Sequence, residues 1–145
     1  MSVFGAMDMS ATGMTAQQTR MDTIAGNIAN VNTTRDKNGN VYKRKTVLFE
    51  EKSYPTFDES LSLANVHIGK GVKVTRIVED ESQGNMVYDP SHPDANEDGY
   101  VTYPNVNTVT EMTNMIDATR AYEANVTVLN STKGMALKAL NIGQS

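Results

Sequence analysis

The 145-residue chain contains no cysteine and no tryptophan, and only three phenylalanines. Without cysteine there are no disulfides, no thiol catalysis and no thiolate metal site, and the redox state of the compartment is left open. With so few large aromatics and 39% hydrophobic residues, a modest core is affordable but a large enzyme core is not. No apolar run reaches the length of about 18 residues that a membrane-spanning helix needs. The cationic start and continuous apolar run of a cleavable signal peptide are also missing, so no signal cleavage is expected. A formal charge of -4, with one basic run at Lys43-Arg44-Lys45, gives no nucleic-acid footprint. A strand edge accounts for that run. Neither a Gly-x-Ser-x-Gly elbow nor a phosphate-cradling glycine loop occurs.

What is present lies at the two ends. Met7, Met14, Met21 and Ile28 form a row of period seven, beside Phe4, Ala11, Gln18 and Ala25. Near the other end, Met112, Thr119, Val126, Lys133 and Leu140 form one row, and Met115, Tyr122, Leu129 and Ala136 its neighbour. Rows seven apart and offset by three describe a coiled-coil seam. Methionine is soft and tolerates imperfectly matched partners, so this seam is expected to include packing against other subunits. Its candidate residues are Met7, Met14, Met21, Ile28, Met112, Met115, Tyr122, Val126, Leu129 and Leu140. Lys133 either snorkels outward or marks where the seam opens to another neighbour.

The spacing predicts a helix over residues 3–29. Gly5, Gly13 and Gly26 weaken it by about 1 kcal/mol each relative to alanine, so it should order only when its stripe is buried. Asn27, Asn30, Asn32 and Thr33 mark its end. Asn38-Gly39 predicts a tight turn, Val41–Phe49 and Gly71–Val78 predict strands, and residues 50–65 a loop. Residues 80–100 read as turns around a short strand near Met86–Tyr88. Thr108-x-x-Glu111 reads as a capping box opening a C-terminal helix that runs to about Ile142. That helix would span roughly 50 Å at 1.5 Å per residue, too long for the middle region to cover. The fold class is therefore α+β: long N- and C-terminal helices paired as an antiparallel coiled coil, with a small β-rich middle region. As domains, 1–33 and 107–145 form one discontinuous helical unit, and 34–106 the β-rich region.

Three groups of residues invite a chemical reading. Asp94-Ala95-Asn96-Glu97-Asp98-Gly99-Tyr100-Val101 matches the first half of a calcium loop, but position 12 is Asn105 rather than a bidentate glutamate, and prolines precede it. An Asp/Asn/Gly turn held by its own side chains explains it better. His92 beside Asp94 suggests an acid–base pair, although one histidine in a proline-rich turn is weak support; His67 is the other histidine. A calcium-binding module and a small hydrolase are thus the competing classes. The paired acidic residues at 50–51, 58–59 and 79–81 read as solvated charge, and Arg120 with Glu123 as a surface pair.

Gly26-Asn27-Ile28-Ala29-Asn30-Val31-Asn32-Thr33 resembles the N-terminal signature of bacterial flagellar axial proteins. In most of that family the run leads directly into a Tyr-Lys-Arg-like ending. Here Tyr42-Lys43-Arg44 is delayed by the insert Thr34–Val41, which resembles the proximal rod branch. Val78-Glu79-Asp80, Tyr88-Asp89-Pro90-x-His92-Pro93-Asp94-Ala95, Gly99-Tyr100-Val101 and Tyr103-Pro104-Asn105-Val106-Asn107 agree with it. So do Glu111-Met112, Met115-Ile116, Arg120-x-Tyr122-x-Ala124-Asn125-Val126 and Leu137-Lys138. Residues 50–68 carry no family pattern. The resemblance marks Asn27, Asn30, Asn32, Tyr42, Asn105, Asn107, Arg120 and Asn125 as signature positions. It implies a non-enzymatic rod subunit without cofactor or metal, exported through the flagellar type III apparatus. Its partners would be copies of itself, neighbouring rod proteins and the export apparatus, within a periplasm-crossing rod. The alternative is another rod subunit of the same family.

Overall fold

The computed structural model describes residues 3–36, 39–52 and 71–143. Asn38, His67 and the expected loop from residue 53 onward lie outside them. Helix α1 spans Val3–Ala29 and helix α2 spans Thr108–Ile142. Between them come strands β1 (Lys45–Glu51), β2 (Val72–Glu79), β3 (Asn85–Tyr88) and β4 (Tyr100–Tyr103).

Both helices have identifiable ends. In α1, Asn30 Nδ2 and Asn30 N both donate to the Gly26 carbonyl, and Thr33 N donates to Asn30 O, so the asparagine-rich run closes the last turn. The hydroxyls of Thr15, Thr19 and Thr23 donate to carbonyls four residues back, which lets threonine sit inside a helix. The capping box is corrected. The cap of α2 is Asn107, whose Oδ1 accepts from Thr110 N at 3.1 Å. Glu111 thereby falls one residue too late to reach back to the cap, and its carboxylate turns inward instead.

Three contacts set the helix register. Asn27 bonds Glu111, Met21 Sδ lies 3.5 Å from the Thr119 hydroxyl oxygen, and Gly13 faces Asn125. Residue numbers rise along α1 as they fall along α2, so the helices are antiparallel. On α2 the stripe turned from solvent is Glu111, Met115, Ala118, Tyr122, Asn125, Leu129, Thr132 and Ala136. One expected row, through Met115, is there. Beside it the most buried positions are Glu111, Ala118, Asn125 and Thr132, while of the other expected row Thr119 and Val126 are half-buried and Met112 and Lys133 exposed. Small side chains explain the choice. A Cβ on Gly13 would lie 2.9 Å from Asn125 Oδ1, so the helices approach closely there because α1 carries no side chain.

Strands β1 and β2 form one antiparallel pair, with an irregularity between Leu48 and Phe49; β3 and β4 form another. The strand expected at Val41 begins only at Lys45, opposite Glu79, and β4 was not foreseen. Two-stranded sheets are marginal alone, so each must lean on something else. The first leans on α1. Thr12 Oγ1 accepts from Val72 N at 3.2 Å and donates to Met9 O. Asn27 holds the other end of the sheet through both the N–H and the carbonyl of Lys45. Among the described residues the fully or nearly buried apolar side chains include Ala16, Ile24, Val47, Val101, Pro104, Val106 and Ala118.

Gly71 tests the Thr12 contact. Its φ is +102°, and a Cβ there would run into Thr12 Oγ1. Gly71→Ala should destabilise by about 1–3 kcal/mol from backbone strain plus the clash. Adding Thr12→Ala should recover the clash and leave the strain. Urea unfolding of the single and double variants measures both, and an unchanged Gly71→Ala midpoint would refute the close approach.

Candidate functional site

A buried polar junction joins the end of α1, the start of α2 and the strand region. Asn27 and Glu111 are both fully buried. Asn27 Nδ2 donates to Glu111 Oε2 (2.9 Å) and to the Lys45 carbonyl (2.8 Å). Its Oδ1 accepts from the Tyr42 hydroxyl and from Lys45 N, both at 2.9 Å. Every polar atom of that amide is therefore matched, as burial requires.

Arg44 completes the carboxylate's shell. Its Nε and one terminal nitrogen donate to Glu111 Oε1 at 2.9 and 2.7 Å. The Arg44 backbone N–H donates to Asn105 Oδ1, and Asn105 Nδ2 donates to Asp80 O and Ser82 Oγ. Glu111 also sits in the first turn of α2, where the helix dipole favours a negative charge. The strand-edge explanation of Lys43-Arg44-Lys45 is thus corrected for Arg44, whose guanidinium turns inward to a buried carboxylate. Its signal was available, because Tyr42-Lys43-Arg44 and Glu111-Met112 both belong to the recognised motifs, yet neither motif reveals that the two ends meet.

Burial raises the Tyr42 phenol above its ordinary value of 10.0, and the negative charges of Glu111 and Glu79 push the same way. Stability contributed by the neutral phenol is complete below pH 10.0 and is lost as pH rises through the higher folded-state value. Tyr42→Phe should cost about 0.5–1.5 kcal/mol near pH 7 for the lost hydrogen bond. It should also remove this alkaline dependence. Unfolding midpoints from pH 7 to 11 check both, and identical alkaline profiles for the two proteins would exclude the linkage.

The half-calcium loop is a turn. Asn96 Oδ1 accepts from Asp98 N and Tyr100 N, and Gly99 N returns to Asn96 O. Asp94 takes the Thr34 hydroxyl at 2.7 Å and Arg35 Nε at 3.3 Å, while its N–H donates to His92 Nδ1. The side-chain oxygens of Asp94 and Asn96 are thus engaged within the protein, and Asn105 serves the junction. Among the described residues no three His, Cys, Asp or Glu side chains converge as metal ligands. No described helix is long and apolar enough to cross a membrane.

The remaining signature and seam positions divide by place. Asn125 Nδ2 bonds Ala121 O beside Gly13, Asn107 caps α2, and Asn32 and Arg120 are exposed. Met7, Met14, Met21, Ile28, Met115, Tyr122, Val126 and Leu129 are half-buried. Met112 and Leu140 are exposed, as are Phe4, Ala11, Gln18 and Ala25. Other large apolar residues on α2 also face solvent, among them Val109, Ile116, Val128, Met135, Leu137 and Ile142.

Residues 7–35 match the family described as flagella basal body rod protein, and residues 97–142 match the C-terminal family of the flagellar basal body rod FlgEFG proteins. The chain is 46% identical over 150 residues to the flagellar basal-body rod protein FlgC of Bacillus subtilis, covering 99% of this chain and 100% of that one. It is 42% identical to FlgC of Borreliella burgdorferi, with 99% of each covered. Identity to FlgC of Salmonella typhimurium is 35%, over 99% of this chain and all of the relative. The two family matches fall on the two helices that the junction ties together, and the relatives extend the likeness through the strands between them. The chain belongs to the FlgC family of flagellar basal-body rod proteins.

Proposed function

We propose that this non-enzymatic structural subunit of the flagellar basal-body rod is incorporated through the outward faces of its two helices. One observation carries the reading. The stripe α2 turns toward its own chain includes Glu111, Ala118, Asn125 and Thr132, whereas its solvent side carries Val109, Met112, Ile116, Leu137 and Leu140. Apolar side chains contribute roughly 1.5–3 kcal/mol each on burial, so a neighbour that covers this face adds stabilisation the isolated hairpin does not realise. A monomer normally exposes only modest apolar patches, and larger ones mark interaction surfaces.

In this reading the helices form one discontinuous domain, residues 1–33 with 107–145, wound as an antiparallel coiled coil. Residues 34–106 form the β-rich region that lies outside it and resists rotation between subunits. Met7, Met14, Met21, Ile28, Met115, Tyr122, Val126 and Leu129 flank the intrachain seam, and Met112 and Leu140 meet other subunits. Partners are copies of this chain, adjacent rod proteins and, before assembly, the flagellar type III export apparatus. Incomplete order of the helices before assembly suits passage without signal cleavage and prevents early polymerisation. The assembled subunit sits in the part of the rod that crosses the periplasm.

Hydrogen exchange on the isolated chain and on assembled rods tests this. Faster exchange towards the far ends of the helices, over residues 3–9 and 133–142, than around the Asn27–Glu111 junction is expected in the free chain, with protection of both helices along their length after assembly. Equal protection in both states would mean a closed hairpin, and coupled folding would be wrong.

A further inference from the structure

Between α1, β1 and the first turns of α2 lies a cavity of about 170 Å3, lined among others by Arg20, Arg44, Lys45, Asn114 and Glu111. Three of these lining residues are basic and one is acidic. The acidic one is already engaged, since Glu111 accepts two bonds from Arg44. Arg44 also donates from its other terminal nitrogen to Thr46 Oγ1, and Lys45 Nζ lies 3.7 Å from Glu79. Arg20 is different. It is half-buried, it lines the cavity, and among the described residues none forms an ion pair or hydrogen bond with its guanidinium. A guanidinium with five N–H donors, partly withdrawn from water and without an anion, is built to receive one.

We infer that this cavity receives a carboxylate from a second copy of the chain, presented by the turn at Glu97-Asp98. The inference rests on the reading of the chain as a self-assembling rod subunit. Charge complementarity calls for a carboxylate, and the support beneath it selects which. The chain carries 17 acidic against 13 basic residues, so copies offer one another surplus carboxylates. Asp94 is held by Arg35, Glu50 by Lys73 and Glu79 by Lys45. Glu97 and Asp98 are both exposed, adjacent, and without a cationic partner among the described residues. They also stand on a stiff support. Asn96 Oδ1 accepts from the N–H groups of Asp98 and Tyr100 at 3.1 and 2.8 Å, and the β3–β4 pair runs directly from it. A rigid convex turn bearing two carboxylates can enter a small basic recess with little ordering cost, which an acid on a mobile segment cannot. Such a contact fixes orientation more than it adds affinity, because charge pairs at interfaces set register and reject wrong partners. It would lock the strand region of one subunit to the helix junction of the next.

A charge exchange in the full chain, expressed in a flagellated host lacking its own copy, tests this. Arg20→Glu should lower the yield of complete rods, and swimming with it, by about tenfold. Glu97→Arg with Asp98→Arg should do the same, and the triple variant should recover most of the yield. Circular dichroism of the purified chains shows whether each variant folds, and Arg20→Gln provides a milder change that creates no repulsion. Wild-type yield from Arg20→Glu, or loss without recovery in the triple variant while all chains remain folded, would overturn the inference. Since the chain has no cysteine, Arg20→Cys combined with Asp98→Cys gives an independent reading. A ladder of cross-linked chains is expected when assembled rods are treated with a bismaleimide long enough to stand in for the arginine side chain, and intact rods without one would reject this contact while leaving rod assembly itself standing.

Discussion

Glu111→Ala is expected to lower the unfolding free energy by about 3 kcal/mol, the largest loss from any single truncation at the junction. The carboxylate is fully buried and is shared by Arg44 and Asn27. Removing it leaves a guanidinium in a partly buried place with its counter-charge gone. It also strips one of the two acceptors from the Asn27 amide nitrogen, whose other acceptor is the Lys45 carbonyl. Arg44 is a quarter exposed and can swing toward water, which holds the loss near the lower end of the range for broken buried pairs. Glu111→Gln keeps the shape and an acceptor, and should cost about 1–2 kcal/mol. Because the pair acts as a unit, Arg44→Ala with Glu111→Ala should cost less than the two single changes summed. Denaturant unfolding of the three variants provides the cycle. A Glu111→Ala protein within about 0.5 kcal/mol of the parent, the range of ordinary surface changes, would show that the junction does not hold the helices to the strands.

The junction also shows what could be read from the residues and what could not. The extent of both helices was legible, because a seven-residue repeat bounded by Asn27–Thr33 and opened near Thr108 leaves few alternatives. The facing row of α2 was not. Period seven is satisfied equally by Met112, Thr119, Val126 and Lys133 and by Glu111, Ala118, Asn125 and Thr132, and hydrophobicity favours the first set. Close approach decides for the second: Gly13 gives Asn125 room, and Glu111 finds Asn27. These pairings link residues some 84 or more positions apart, and no local pattern encodes them. The start of β1 moved from Val41 to Lys45 for a related reason. The Tyr42 hydroxyl is drawn to Asn27 and the Arg44 N–H to Asn105, so that of the Arg44 backbone only the carbonyl reaches across, to Asp80 N. Strand β4 escaped because its alternation, Tyr100-Val101-Thr102-Tyr103, is only four residues long and follows directly on a turn. The motifs that resembled flagellar axial proteins supplied the residues of the junction without their geometry.

Ile116→Asp is expected to abolish rod formation while leaving the isolated chain's unfolding within about 0.5 kcal/mol of the parent. Ile116 lies on the solvent side of α2, one turn beyond Met112 and two beyond Val109, and all three are exposed. In the monomer an aspartate there simply meets water. In an assembly that covers this face it loses an apolar contact worth roughly 1.5–3 kcal/mol and adds the cost of desolvating a charge. The penalty recurs at every equivalent contact along the rod, so a change that one subunit tolerates becomes prohibitive for the polymer. Ala118→Asp supplies the contrast. Ala118 is fully buried on the neighbouring stripe, and a charge there should disrupt the helix pair itself, visible as lost stability before any assembly. Electron microscopy of basal bodies and denaturant unfolding of the purified chains separate the two faces. Complete rods from the Ile116→Asp chain would show that the apolar side of α2 faces no other subunit, and the assembly reading built on it would fail.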